Sequence, residues 1–109
     1  MVVLDTSIVI ERVKNRQEIN ENITGVTFVE YPGIVRYKRF YGNVLFPTFE
    51  DILLAHTIQI SLLKIGKPKS FADLLIASIC INNGEELVTR DSDFLDIAKV
   101  SDLKLKFIP

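Results

Sequence analysis

The chain has 109 residues, of which 48% are hydrophobic, and 13 Lys and Arg against 14 Asp and Glu give a net charge of −1. This length fits one domain, 1–109, that buries roughly two-thirds of its unfolded surface. The charge balance argues against a protein that coats nucleic acid, but not against an enzyme that binds nucleic acid transiently. One cysteine excludes an internal disulfide. With no signal peptide and no apolar run of the ~20 residues that a membrane span needs, we expect a soluble, cytoplasmic protein.

Apolar periodicity divides the chain into alternating strands and helices. Proline costs about 3 kcal/mol in a helix interior, so the helix expected to begin near Glu30 must start late or bend at Pro32. Strands joined by helices predict an α/β fold, with a central parallel sheet flanked by helices on both faces. In chain order, the predicted elements are a buried strand at 2–4, a helix at 7–16, a strand or helix start at 23–28, a helix from about 30, an edge strand at 44–46, helices at 48–65 and 70–83, a strand at 87–89, a helix at 93–100 and a strand at 103–108.

Two of these helices differ in how much of their surface is apolar. The helix at 48–65, with Thr48 as its predicted N-cap, has an apolar face wider than one core-facing stripe requires. Part of that face could therefore contact another protein. The helix at 70–83 is apolar almost all round, which predicts a deeply buried position and an inert core role for Cys80. His56, which lies among apolar residues of the helix at 48–65, is predicted to be packed rather than to bind a ligand.

Five acidic residues stand out by their context, and each has a structural explanation. Asp5 or Thr6 could cap the helix that follows, and Asp93 is a plausible N-cap for the helix after it. The stretches 27–30 and 70–73 both match the capping box, in which the acid three residues after the cap residue bonds back to the N–H of that cap residue. The five acids are Asp5, Glu30, Asp73, Asp91 and Asp93.

Taken together, the acids predict a metal site. Asp5 and Asp91 follow predicted parallel strands, so they should lie at the same edge of the sheet, where ligands bind in such folds. Asp73 begins the buried helix, where an ionised carboxylate is costly unless a positive charge accompanies it. No lysine or arginine is an obvious partner in the sequence. Mg²⁺ or Mn²⁺ would resolve this, because hard divalent cations prefer carboxylate oxygens.

Four motifs in order resemble those of the PIN domain, and the chain looks most similar to the small VapC-type toxin ribonucleases of bacteria and archaea. The resemblance implies that 1–109 is a single PIN-like nuclease domain with Mg²⁺- or Mn²⁺-dependent endoribonuclease activity on single-stranded or structured RNA. It also implies a homodimer and a small antitoxin that inserts a segment into the acidic site. The motifs are Leu-Asp-Thr-Ser-Ile around Asp5, Thr-Phe-Val-Glu ending at Glu30, Phe-Ala-Asp-Leu-Leu-Ile-Ala-Ser around Asp73 and Leu-Val-Thr-Arg-Asp-Ser-Asp-Phe around Asp91.

Each of the five acids has an expected role in phosphodiester hydrolysis. Asp5 and Asp91, which follow strands, are the expected central metal ligands, and Asp73 would be a ligand or hold a metal-bound water. Glu30 or Asp93 would position or deprotonate the attacking water. The products would carry a 5′-phosphate and a 3′-hydroxyl.

Hydroxyl and basic residues complete the predicted site. Thr6 and Thr89 match family positions that orient water or a carboxylate. Residues 36–41 alternate bases with aromatic rings, as in proteins that bind single strands, although the rings could instead face inward with the bases in water. Arg90 could reach a phosphate or pair with a site acid, and Lys69 is predicted to be solvated. The candidate RNA-binding residues are Arg36, Lys38, Arg39 and Arg90.

Two other function classes compete with a nuclease. A PIN-fold module with little or no turnover could act by binding a protein partner. A phosphoacceptor or phosphatase could also use an aspartate after a strand, but haloacid-dehalogenase-like sites need a second acid where this chain has Ser7. Receiver domains need an acidic pair and a lysine that are not evident here.

Overall fold

A parallel sheet forms the centre of the fold in a computed structural model that describes residues 1–109. In chain order, the elements are β1 (Val2–Leu4), α1 (Thr6–Lys14), β2 (Ile23–Thr24), α2 (Gly25–Glu30), a 3₁₀ helix (Pro32–Arg36), β3 (Val44–Leu45), α3 (Phe49–Lys64), α4 (Phe71–Asn82), β4 (Glu86–Thr89), α5 (Asp93–Lys99) and β5 (Lys104–Phe107). Three strands lie in the order β1-β4-β5, and β2 pairs with β3, all of them parallel. A parallel bridge between Val3 and Asn22 joins the two groups.

Helices cover both faces of the sheet, as predicted. Val3 and Leu87 face one side, where they pack in a core with buried residues of α3, α4 and α5. Leu4 and Val88, the next residues along the same strands, face the other side and pack against α1 and the 3₁₀ helix. This alternation follows from the two-residue period of a strand. Because β1 and β4 are parallel neighbours, their carboxyl ends lie together at one edge.

The stretch around Glu30 differs from the prediction. Residues 23 and 24 form β2, and α2 begins directly afterwards with Thr24 as its N-cap, whose hydroxyl accepts the Thr27 N–H at 3.4 Å. The expected capping box at 27–30 is therefore wrong, because Thr27 already lies inside the helix. A helix does not begin near Glu30 but ends there. Pro32 opens the 3₁₀ helix, a position where the missing N–H of proline costs nothing.

The two long helices begin where the sequence predicts. Thr48 and Asp51 form a complete capping box at the start of α3. In α4, every residue from 74 to 80 is buried, including Cys80. The prediction of a packed His56 is wrong: α3 contacts the core only along one narrow stripe, and His56 lies off it and is exposed.

The wide apolar face of α3 therefore lies on the surface. Its exposed large apolar residues are Phe49, Ile52, Leu53, Ile60 and Leu63. None of the helices combines the length and the apolarity that crossing a membrane demands.

Candidate metal centre

Asp5 lies where β1 ends and α1 begins, and it is almost fully buried, with 8% of its surface exposed. As the N-cap of α1, it accepts the Thr6 N–H at 2.8 Å, and its other carboxylate oxygen accepts the Thr89 hydroxyl at 2.7 Å. Burial raises the pKa of Asp5 above its ordinary value, and the charges of Asp91 and Glu30 add to this rise. The two hydrogen bonds oppose it.

Thr89 is the residue that ties the two strand ends together. Its fully buried hydroxyl donates to Asp5 and accepts the Asp91 N–H at 3.0 Å. The Asp91 carboxylate in turn accepts the Asp93 N–H at 2.9 Å, as aspartate does in tight turns. The predicted N-cap role of Asp93 is wrong, because Asp93 is the first residue of α5 and its own N–H is bound by Asp91.

Asp73 reaches the same place from the first turn of α4. Its N–H donates to the hydroxyl of Ser70, the N-cap, at 3.2 Å, but the return bond of a capping box is absent. Carboxylate oxygens of Asp73, Asp91 and Asp93 all lie within 4.8 Å of one another. Burial first, and then the charges of Asp91, Asp5 and Asp93, raise the pKa of Asp73 from 3.8 to about 6 against a smaller opposing effect of Ser70.

Glu30 stands at the outer rim of this cluster. It is exposed, and its carboxylate accepts the hydroxyl of Thr6 at 2.8 Å. That hydroxyl also lies 2.8 Å from the Thr27 hydroxyl, so the end of α2 is connected to the start of α1. Glu30 and Thr6 line an open cleft of about 570 Å³. Among the residues that line it are Asp5, Thr6, Glu30, Asp73, Arg90 and Asp91.

The inner acids have no positive partner in the protein. No salt bridge involves Asp5, Asp73 or Asp91. Asp93 differs, because it is half exposed and lies 3.3 Å from the Lys69 ammonium. Clustered carboxylate oxygens without a neutralising side chain are the donor set that Mg²⁺ and Mn²⁺ prefer, so these residues fit a divalent cation.

Lys69 is a residue whose role the sequence did not reveal. It was expected to be solvated, but only 10% of its side chain is exposed, and its ammonium also bonds to Asp96 at 2.8 Å. These contacts, the Asp96 hydrogen bond above all, raise the pKa of Lys69. The 24-residue and 27-residue separations in sequence hid both pairs.

Arg90 lines the cleft. The alternative in which it pairs with a site acid is wrong. Its guanidinium bonds instead to both carboxylate oxygens of Glu11, on α1, at 3.1 Å each. Nothing in the sequence marked Glu11, because the two residues lie 79 positions apart.

The basic segment at 36–41 lies away from the acids. Arg39 donates to the Arg16 carbonyl and the Tyr37 hydroxyl to the Gln17 carbonyl, just past the C-terminal end of α1. Asp5 caps the opposite end of that nine-residue helix, about 14 Å away at 1.5 Å per residue. Tyr37 and Phe40 pack against the core while Arg36, Lys38 and Arg39 are exposed, which matches the inward-ring alternative for these two rings. The third ring, that of Tyr41, is exposed.

Comparison with known proteins shows the fold of this chain, through solved structures alone. No protein-family model matches the chain, and no curated protein matches it. Solved structures do match over nearly the full length. A chain of VapBC-1 from nontypeable Haemophilus influenzae is 23% identical with a TM-score of 0.74, and 98% of each chain is covered.

The chain has the PIN fold of VapC-type proteins. FitAcB from Neisseria gonorrhoeae is similarly close, with 18% identity, a TM-score of 0.77 and coverage of 100% of this chain and 98% of that one. VapBC-5 from Mycobacterium tuberculosis, a member of the VapBC family of toxin–antitoxin systems, is 18% identical with a TM-score of 0.74 and 98% coverage of both chains. The predicted resemblance to the PIN domain is therefore confirmed for the fold.

Proposed function

We propose that residues 1–109 form one metal-dependent endoribonuclease domain that hydrolyses phosphodiester bonds of single-stranded or structured RNA. One observation carries the proposal. Asp5 follows β1, Asp91 follows β4 and Asp73 lies in α4, yet all three line one cleft, and no basic side chain of the protein pairs with any of them. A fold stabilised only by its own contacts gains nothing from collecting such charges, whereas a cation site requires them.

The chain's own residues would divide the work in the following way. Asp5, Asp73 and Asp91 would hold Mg²⁺ or Mn²⁺, which supplies charge neutralisation at the phosphate and activation of water. Thr89 fixes the orientation of the Asp5 carboxylate through its 2.7 Å bond. Glu30, which accepts the Thr6 hydroxyl at the rim, would orient or deprotonate the attacking water. The products would then carry a 5′-phosphate and a 3′-hydroxyl.

Asp93 would have a secondary part in this site. Its carboxylate belongs to the three-acid group, but it is also partly neutralised by Lys69. Asp93 would therefore contribute to a second cation position or to water orientation rather than to the first cation.

The fold also supports a biological setting. The matched structures include chains of toxin–antitoxin complexes. We propose that this chain is a cytoplasmic toxin, that a small antitoxin inserts a segment into the acidic cleft, and that two copies associate. The exposed apolar face of α3 is suited to such an association.

Cleavage of a labelled single-stranded RNA tests the proposal. Wild type should cut it with Mg²⁺ or Mn²⁺ and not with a chelator, and Asp5→Asn should lower the rate by at least about a hundredfold, as expected when a metal ligand is lost. Asp102→Asn, an exposed acid in the turn before β5, is the matched control and should cleave like wild type. No cleavage by wild type with either ion would remove the nuclease function and leave the fold.

A binding module without turnover is the second candidate. One observation favours it: the cleft has a single basic side chain, Arg90, and this residue is engaged by Glu11. If this candidate is right, wild type will not cleave RNA with any ion. The Asp5→Asn variant will bind the protein partner as well as wild type does.

A further inference from the structure

Arg90 is the only basic side chain among the residues that line the acidic cleft. The acids around it repel the phosphates of a nucleic acid, and cations bound among them would offset only part of that charge. A basic group at the edge of the cleft is therefore the feature on which phosphate recognition would depend.

The backbone of Arg90 is held in a fixed relation to the site. The residue before it, Thr89, is buried and bonded to Asp5, and the residue after it, Asp91, donates its N–H back to the Thr89 hydroxyl. The side chain of Arg90 thus begins within the site and extends outward over α1.

Glu11 fixes the direction of the guanidinium. Its two carboxylate oxygens accept from Nε and Nη2 of Arg90, both at 3.1 Å, in the forked geometry that a guanidinium and a carboxylate favour. The remaining nitrogen, Nη1, makes only a 3.5 Å contact with the Pro109 carbonyl. The N–H groups on Nη1 and the second N–H on Nη2 are therefore left for a ligand.

This ion pair is a poor candidate for a stabilising element. The two side chains are 45% and 47% exposed, and pairs with this exposure add little to stability. What such a pair does provide is orientation, because it restricts a long and flexible side chain to one direction.

We propose that Arg90 binds a phosphate of the RNA strand beside the scissile bond, and that Glu11 is the positioning residue that holds Arg90 ready for it. This inference rests on the proposed nuclease function and specifies which residue recognises the substrate backbone. Lysine could not replace Arg90 here, because a lysine ammonium cannot bond to both Glu11 oxygens in a fork and still present N–H groups to a phosphate.

Steady-state cleavage of single-stranded RNA with Mn²⁺, measured across a range of salt concentrations, tests the inference. Arg90→Ala should raise KM by about tenfold with kcat nearly unchanged, since a charged hydrogen bond to the substrate is lost. The slope of log KM against log salt should fall by about 0.7, which is the value for one phosphate contact on a single strand. Glu11→Gln should raise KM by less, and the double variant should behave like Arg90→Ala, because Glu11 acts only through Arg90.

Arg12→Ala is the matched control. Arg12 also lies in a forked pair, with Glu21, but it does not line the acidic cleft, so its removal should leave the salt slope as in wild type. Equal slopes and KM values for wild type and Arg90→Ala would overturn the inference, as would a Glu11→Gln effect that adds fully to that of Arg90→Ala. These results would leave the nuclease standing if wild type cleaves, whereas absence of cleavage by wild type would refute both.

Discussion

Replacement of Asp73 by asparagine should make the metal-free protein more stable at neutral pH. In the folded chain the pKa of Asp73 is raised from 3.8 to about 6, so the folded state binds this proton more tightly than the unfolded state. The free energy of unfolding should therefore fall as pH rises from about 4 to about 6 and stay lower above that. Asparagine keeps the shape of the side chain and removes the titration.

The size of this effect follows from the same shift. A rise from 3.8 to about 6 corresponds to at most about 3 kcal/mol. The carboxylate is partly open to solvent, and screening reduces the gain to about 1 kcal/mol. In chelator at pH 7.5, Asp73→Asn should thus be more stable than wild type by about 1 kcal/mol, with almost no difference at pH 4.

A divalent cation should reverse this order. Wild type gains about 2.7 kcal/mol when Mn²⁺ is present at a hundred times its dissociation constant, and a variant without one ligand gains much less. Urea denaturation of wild type and Asp73→Asn, with and without Mn²⁺ and at pH 4 and pH 7.5, measures these differences. The exposed Asp102→Asn variant controls for the loss of a negative charge elsewhere. The reasoning fails if Asp73→Asn is less stable than wild type in chelator at pH 7.5, or if its effect is the same at both pH values.

Two further substitutions test how the cluster is held. Thr89→Val should lower the free energy of unfolding by about 1–3 kcal/mol, because it leaves one of the two oxygens of the buried Asp5 carboxylate without its hydrogen-bond donor, and urea denaturation would show it. Lys69→Met should strengthen Mn²⁺ binding by up to about tenfold in calorimetry, because it removes the positive charge that partly neutralises Asp93.

Each of these substitutions has a control within the same site. Thr89→Ser keeps the hydroxyl, so it should recover most of the lost stability, and an equal loss in both variants would point to packing instead. Lys69→Arg keeps the positive charge and should bind Mn²⁺ as wild type does. A Lys69→Met variant whose Mn²⁺ affinity is unchanged would contradict the competition between Lys69 and the cation.

The architecture could be read from the sequence wherever one local signal determined an element. Thr48 and Ser70 are N-caps as predicted, and the apolar run at 74–80 is buried as predicted. The elements within 23–30 could not be predicted in this way. The two residues of β2 pass directly into the six residues of α2, and neither element is long enough to show its apolar period. His56 was misplaced because α3 has apolar residues on faces that do not contact the core.

The acids that gather in the cleft were predictable, but their other neighbours were not. The positions of Asp5 and Asp91 follow from strand ends that must share one edge of a parallel sheet. The pairs Lys69–Asp93 and Glu11–Arg90 join residues 24 and 79 positions apart, and no local pattern marks such partners. Sequence patterns specify which residues end an element, whereas ion pairs on the surface depend on the final packing of the elements.

The hydrogen bond between Thr89 and Asp5 spans 84 positions of the chain. During synthesis on a ribosome, Asp5 emerges long before Thr89, so the Asp5 carboxylate of a nascent chain at first has no Thr89 hydroxyl to bind. The acids of the cleft cannot come together until β4 has paired with β1 and the turn at Asp91 has closed. Whatever chemistry the cleft performs is therefore withheld from every truncated translation product that stops before this pairing.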